Sequence, residues 1–177
     1  MGMKWIALGG VAAAALAASP AAAADCGGLA GLSLPNGHVT AASVVAAGAF
    51  QPPAGGGGPP GVGPGRYSTL PESCRVQVTL TPTSDSDIKS EVWMPTSGWN
   101  GTYVGIGNGI WAGTISFGEL GAALARGYAV AATDTGHTGN GLTADFAIGH
   151  PEKLIDFGYR AVHETAVTAK RVIAAYY

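Results

Sequence analysis

Charge is scarce in this sequence. Of 177 residues only 9 are Lys or Arg and 11 are Asp or Glu, a formal net charge of −2. With no basic stripe and no acidic tail, nucleic acid is excluded as a partner, and electrostatics names no other. Cysteine is scarcer still. Cys26 and Cys74 are the only two, and neither has a second Cys or His at ligand spacing, which excludes a cysteine-based metal centre. Long hydrophobic runs are missing as well: the longest, residues 5–18, falls short of the roughly 18 to 20 residues that a bilayer span needs, so no membrane association is expected. Two catalytic signatures are also absent. No G-x-x-x-x-G-K-[ST] loop occurs, and "VHETA" supplies His163 and Glu164 without the second histidine of H-E-x-x-H, so His163 is expected to be a packed or capping side chain.

What is present begins with a leader. Residues 1–4 carry a positive charge, residues 5–18 are apolar, and "SPAAAAD" offers an A-x-A cleavage site ending at Ala24. Residues 1–24 are read as a signal peptide, which places the protein outside the cell or in the periplasm. In such an oxidising compartment the even pair Cys26 and Cys74 is expected to form a disulfide, the alternative being two buried thiols. Residues 25–177 are enough for one domain, or a piece of one.

The Gly/Pro-rich stretch at 51–66 is expected to be an irregular loop, because proline removes donors and glycine carries too much backbone entropy. Too few residues precede it to fold alone, so it loops out between two strands of one domain. Beyond it, "CRVQVTLTP" and "IKSEVWMP" alternate apolar with polar residues around the turn-rich "TSDSD" and predict a hairpin. "TYVGIG" reads as a short buried strand, "FGELGAALARG" as a helix closed by glycine after Arg126, and "YAVAATD" as another apolar strand. From Tyr159, the spacing of Val162, Ala166, Ala169, Ile173 and Tyr176 predicts an amphipathic helix. Two strands followed by strand, helix, strand and helix predict the opening of an α/β sheet. The closing "VIAAYY" has no glycine cap, proline or polar tail, so the chain is expected to be truncated within or at the end of that helix.

"GIGNGIWAG", at the end of the third expected strand, calls for a bare backbone. A dinucleotide loop needs G-x-G-x-x-G, whereas Gly107, Gly109 and Gly113 give G-x-G-x-x-x-G. A purely structural turn is one alternative. The other is an oxyanion hole, whose main-chain N–H donors stand just past the third strand of an α/β-hydrolase sheet.

Taken together, "WNG", "GIGNG", "GYAVAATDTGH", "FAIGHPEKLIDFGYRAVHETAVTAKRVIAAYY" and the "SCRV" before the hairpin resemble the N-terminal part of the tannase and feruloyl esterase family. The resemblance spans residues 26–177. It implies an α/β class chain, the N-terminal part of an α/β-hydrolase fold with an incomplete sheet and without the family's inserted lid. It further implies a secreted carboxylic ester hydrolase that cleaves feruloyl or galloyl esters through a Ser-His-Asp triad. The substrate would be a small aryl ester, a plant polyphenol or a cell-wall ester. No G-x-S-x-G and no Gly-Cys-Ser elbow occurs here, so the triad is expected downstream, no catalytic residue falls in this chain, and the chain alone is expected to be inactive. What carries over is the oxyanion loop, with Gly109 and Ile110 as candidate donors. Ile110 departs from the glycine found in many members, and a β-branched side chain there is expected to resist positive φ and to crowd the pocket. Asn108, Trp111, Asp134 and His137 are candidates for the substrate-side loops. His137 could transfer a proton, but Asp134 and His137 are expected chiefly to hold their loop by hydrogen bonds. The family's calcium site belongs to the lid, so no metal or cofactor is expected. The alternative reading is a non-catalytic secreted binding or structural domain.

Overall fold

The computed structural model describes residues 24–53 and 64–177. All but the last residue of the expected leader, and most of the 51–66 loop, therefore lie outside the described residues. A 3-10 helix at Cys26–Gly31 opens the described part. Three antiparallel strands follow: β1 (Gly37–Val45), β2 (Ser73–Leu80) and β3 (Ile88–Pro95). The expected hairpin is β2 and β3, paired without interruption from Ser73 opposite Pro95 to Leu80 opposite Ile88. The 51–66 stretch does lie between two strands, β1 and β2, but a 3-10 turn at Pro64–Tyr67 corrects the expectation that it holds no regular element. The sequence reading had no strand at β1, because its residues are exposed or half-buried and carry little alternation.

The chain continues through β4 (Tyr103–Ile106), β5 (Trp111–Gly113), α1 (Phe117–Leu124), β6 (Ala129–Thr133), β7 (Gly139–Gly141), α2 (Pro151–Ile155) and α3 (Ala161–Tyr176). The main sheet has the order β1-β2-β3-β6-β4, with β6 antiparallel to β3 and parallel to β4. β4 is half-exposed rather than buried, since among the described residues it is paired on one side only. Helix α1 ends as expected: Gly127 adopts φ +79° and its N–H closes on the Leu124 carbonyl at 2.9 Å.

Strand alternation sorts side chains into two cores. Val76, Val78, Leu80, Val92, Met94, Ala129 and Ala131 face α3 and bury against Val172 and Ile173. On the opposite face Trp93, Val130 and Ala132 meet Phe117, Leu120 and Leu124 of α1. Leu80, Met94, Leu120 and Leu124 are almost wholly buried, each contributing about 1.5–3 kcal/mol relative to exposure. The result is a helix, sheet, helix sandwich. This architecture agrees with the expected α/β class: a mixed sheet with a helix on each face.

Two details of the final helix differ from its sequence reading. Helical structure begins at Pro151, which occupies the first turn where its missing N–H costs nothing, and it passes through a π turn at Asp156–Arg160 before α3. The buried stripe is also rotated. Val162 is exposed and Ala166 half-buried, while Thr165, Thr168 and Val172 face the sheet. Thr165 is accommodated because its hydroxyl lies 2.7 Å from Ser90 Oγ across the core, a polar pair that hydropathy cannot anticipate. Cys26 and Cys74 are joined in a disulfide with Cα atoms 5.6 Å apart, tying the first 3-10 helix to β2.

Candidate functional site

Strands β4 and β6 are parallel neighbours, yet the chain leaves β4 for α1 on one face and β6 for α3 on the other. That divergence opens a crevice at the carboxyl ends of the two strands. Both connecting loops are joined across it by a small ribbon in which β5 pairs with β7, Trp111 opposite Gly141 and Gly113 opposite Gly139. Gly113 is required there. A Cβ at that position would stand 2.5 Å from the His137 carbonyl oxygen.

The loop after β4 is held from the loop after β6. Asn108 Nδ2 donates to the Ala112 carbonyl at 2.9 Å and to the Thr133 carbonyl at 3.1 Å. Because both partners only accept, the orientation of the amide is fixed by chemistry. The Ala112 N–H closes on the Gly109 carbonyl at 3.1 Å, making a tight turn over residues 109–112. At its first central position Ile110 adopts φ +55°, and its side chain is 77% exposed. The expected resistance to positive φ is thus overridden: such a conformation costs a β-branched residue about 1–2 kcal/mol, against roughly 1 kcal/mol for each of the three hydrogen bonds that hold the turn. The expected crowding is relieved by the outward side chain. Among the described residues neither the Gly109 nor the Ile110 N–H donates to a protein acceptor.

His137 grips the same loop from the other side. Its Nε2 lies 2.9 Å from the Trp111 carbonyl oxygen, an obligate acceptor, so Nε2 carries the proton. Nδ1 faces Thr135 Oγ1 at 3.4 Å, and the ring stacks on Phe146 with centroids 3.6 Å apart. Asp134 Oδ1 accepts from the backbone N–H groups of Lys89 at 2.9 Å and Gly136 at 2.8 Å. Burial pushes the Asp134 carboxyl up to about 6, against the pull of those two N–H groups. It faces a polar pocket of about 550 Å³ that His137, Lys153 and Asp145 also line.

The sequence model of the family described as "Tannase and feruloyl esterase" matches residues 74–177. The chain belongs to the tannase and feruloyl esterase family. An uncharacterised esterase of Xanthomonas campestris is 42% identical over 162 residues, 92% of this chain and 27% of that protein. A probable feruloyl esterase B-2 of Aspergillus terreus is 32% identical over 165 residues, 93% of this chain and 30% of that one. The crystal structure of feruloyl esterase B from Aspergillus oryzae superposes with a TM-score of 0.72 at 29% identity, covering 86% of this chain and 29% of the other. The chain therefore spans between a quarter and a third of the length of these members of the tannase and feruloyl esterase family.

Within this family member the candidate residues fall together. Asn108, Gly109, Ile110 and Trp111 lie on one loop and Asp134 and His137 on the other, joined by the bonds just described. Trp111 is half-buried, its ring 4.9 Å from that of Phe157 and 6.2 Å from that of Phe146. Sequence reasoning missed Phe146, Phe157 and Thr135. The two phenylalanines sit in a 3-10 turn (Asp145–Ala147) and in the π turn, where no period marks a face. Thr135, at φ +62°, precedes Gly136 in "DTGH", a turn signal that does not say which residue takes the unusual conformation. Asp156 was missed too: it is fully buried on the π turn, burial raises its pKa, and Arg160 Nη1 reaches its Oδ1 at 3.1 Å. His163, expected to be packed or capping, is exposed, because the rotated stripe turns it away from the sheet. Among the described residues no group of three or more His, Cys, Asp or Glu is arranged to hold a metal ion.

Proposed function

We propose that the protein is a secreted carboxylic ester hydrolase of the feruloyl esterase and tannase type, and that this chain supplies its oxyanion loop. The observation that carries the reading is the pair of adjacent N–H groups at Gly109 and Ile110, unclaimed by any described protein acceptor at the carboxyl end of β4. A serine Oγ attacks the ester carbonyl, whose oxygen becomes an oxyanion, and the two N–H groups meet that charge as it develops. A single such donor is worth on the order of 10²–10³ in rate. The tetrahedral species expels the alcohol, and water then releases the phenolic acid from the serine. The serine, histidine and acid are assigned to residues outside these 177, since this sequence has no serine elbow.

Asp134 and His137 act as loop anchors in this scheme: His137 Nε2 is committed to the Trp111 carbonyl and its ring to Phe146. The description of the family and the feruloyl esterases among the relatives support a feruloyl or galloyl ester as substrate. Export is supported by the disulfide and the apolar leader, and the chemistry requires no cofactor. The test is turnover of methyl ferulate and methyl gallate by the full-length gene product, with inactivation by a serine-directed phosphonofluoridate. Hydrolysis abolished by that reagent is expected. A gene product that binds these esters without turning them over would return the glycine loop to a structural turn.

A further inference from the structure

We infer that Asn108 is a positioning residue, whose side-chain amide keeps Ile110 in its left-handed conformation and so aims the Ile110 N–H into the crevice. The inference rests on the esterase reading for its catalytic consequence, but not for its structural content. Ile110 occupies a conformation that favours glycine, and its side chain, largely exposed, gains little from packing among the described residues. The turn must be held by something else. Its own closure is the single bond from Ala112 N–H to the Gly109 carbonyl. Beside the β5–β7 pairing and the His137 bond to the Trp111 carbonyl stand two ties donated by Asn108, and these differ in kind. One reaches the carbonyl of Ala112, where the chain leaves the turn, and the other reaches that of Thr133, at the end of β6. Asn108 therefore fixes the shape of the turn and its position against the sheet with one planar group.

The strain at Ile110 and the restraint supplied by Asn108 are of similar size, so removing the amide lets the turn relax. Relaxation rotates the peptide unit between Gly109 and Ile110 and swings its N–H away from the place where an oxyanion forms. His137 adds a hold on the Trp111 carbonyl but none on Ala112 or Thr133, and Thr135 Oγ1 lies 3.4 Å from the Ala112 carbonyl while standing 2.6 Å from that of Asp134. Relief of the strain should do what restoring the amide does. Glycine at position 110 adopts positive φ without the steric cost, so the turn no longer needs its clamp.

The experiment is a double-mutant cycle in the full-length gene product, with Asn108→Ala, Ile110→Gly and both together. With methyl ferulate, Asn108→Ala should lower kcat on the order of 100-fold while KM stays within about twofold, the pattern of an interaction made in the transition state. An aryl boronic acid, which mimics the tetrahedral intermediate, should lose affinity by a similar factor. Adding Ile110→Gly to Asn108→Ala should recover at least about tenfold of the lost kcat, which a general weakening of the fold would not give. Hydrogen exchange of the peptide covering residues 107–113 supplies a readout independent of turnover. It should quicken about tenfold in Asn108→Ala, with β2 and β3 unchanged, and slow again in the double variant. Unchanged exchange, or a double variant no better than Asn108→Ala, overturns the positioning role. An unaltered gene product that hydrolyses no ester overturns the esterase reading instead, and the exchange data then still decide what Asn108 does.

Discussion

On β2 and β3, four donors converge on the buried carboxylate of Glu91: Arg75 Nε at 2.7 Å, Arg75 Nη2 at 2.5 Å, Gln77 Nε2 at 3.1 Å and Trp93 Nε1 at 2.7 Å. The strand register there is unbroken, and a disulfide ties β2 to the first 3-10 helix. At the carboxyl ends of β4 and β6 the opposite holds. Two β-branched residues, Ile110 and Thr135, take positive φ, N–H groups at 109 and 110 lack described acceptors, and Ile110 and Ile148 are more than three-quarters exposed. The difference teaches how the labour is divided. Where local preference, pattern and polar satisfaction agree, the fold holds itself; where they conflict, specific tertiary bonds hold the backbone in place, as the proposed oxyanion loop would require.

That contrast can be broken from the scaffold side. Replacing both Cys26 and Cys74 with serine should cost about 4 kcal/mol, since the bridge closes a sequence separation of 48 residues and constrains the unfolded chain accordingly. Urea unfolding of both forms measures it, and a loss below about 1 kcal/mol would show that the unfolded state gains little freedom. Glu91→Ala should cost about 3 kcal/mol by stranding the Arg75, Gln77 and Trp93 donors in a buried site. Glu91→Gln, which keeps an acceptor of the same shape, should lose less in the same titration.

From the site side the effects are smaller and one changes sign. Ile110→Gly should raise stability by about 1 kcal/mol, because it relieves positive φ at a residue whose side chain is largely exposed. A drop instead would reveal packing on Ile110 that outweighs its strain. The smallest effect concerns Asp134. Folding raises its pKa from 3.8 to about 6, so the folded state takes up a proton between those values. Its contribution is fully present below pH 4 and is lost as pH rises toward 6. Partial exposure screens the cost, so the decline in Tm over that range should be only about 2 °C. Asp134→Asn should flatten it, and thermal melts from pH 4 to pH 7 would show an unaltered slope if another group is responsible.

The hairpin, α1 with its Gly127 cap, β6 and the existence of the last helix were legible in the sequence, because each is set by residues near one another along the chain. Period-2 alternation marks β2 and β3, and a glycine after Arg126 marks a helix end. The ordered motifs from "SCRV" to "VIAAYY" likewise carried the family resemblance, and "GIGNG" drew attention to the right loop. The tertiary structure decided the rest. It rotated the α3 stripe so that Thr165 could pair with Ser90, placed β4 at a half-exposed position, paired β5 with β7, and set Ile110 at a φ its own chemistry disfavours. The physical reason is common to all four. Local preferences are worth about 1–2 kcal/mol or less per residue, and a few hydrogen bonds from distant residues, such as those of Asn108 to Thr133 and His137 to Trp111, are enough to override them.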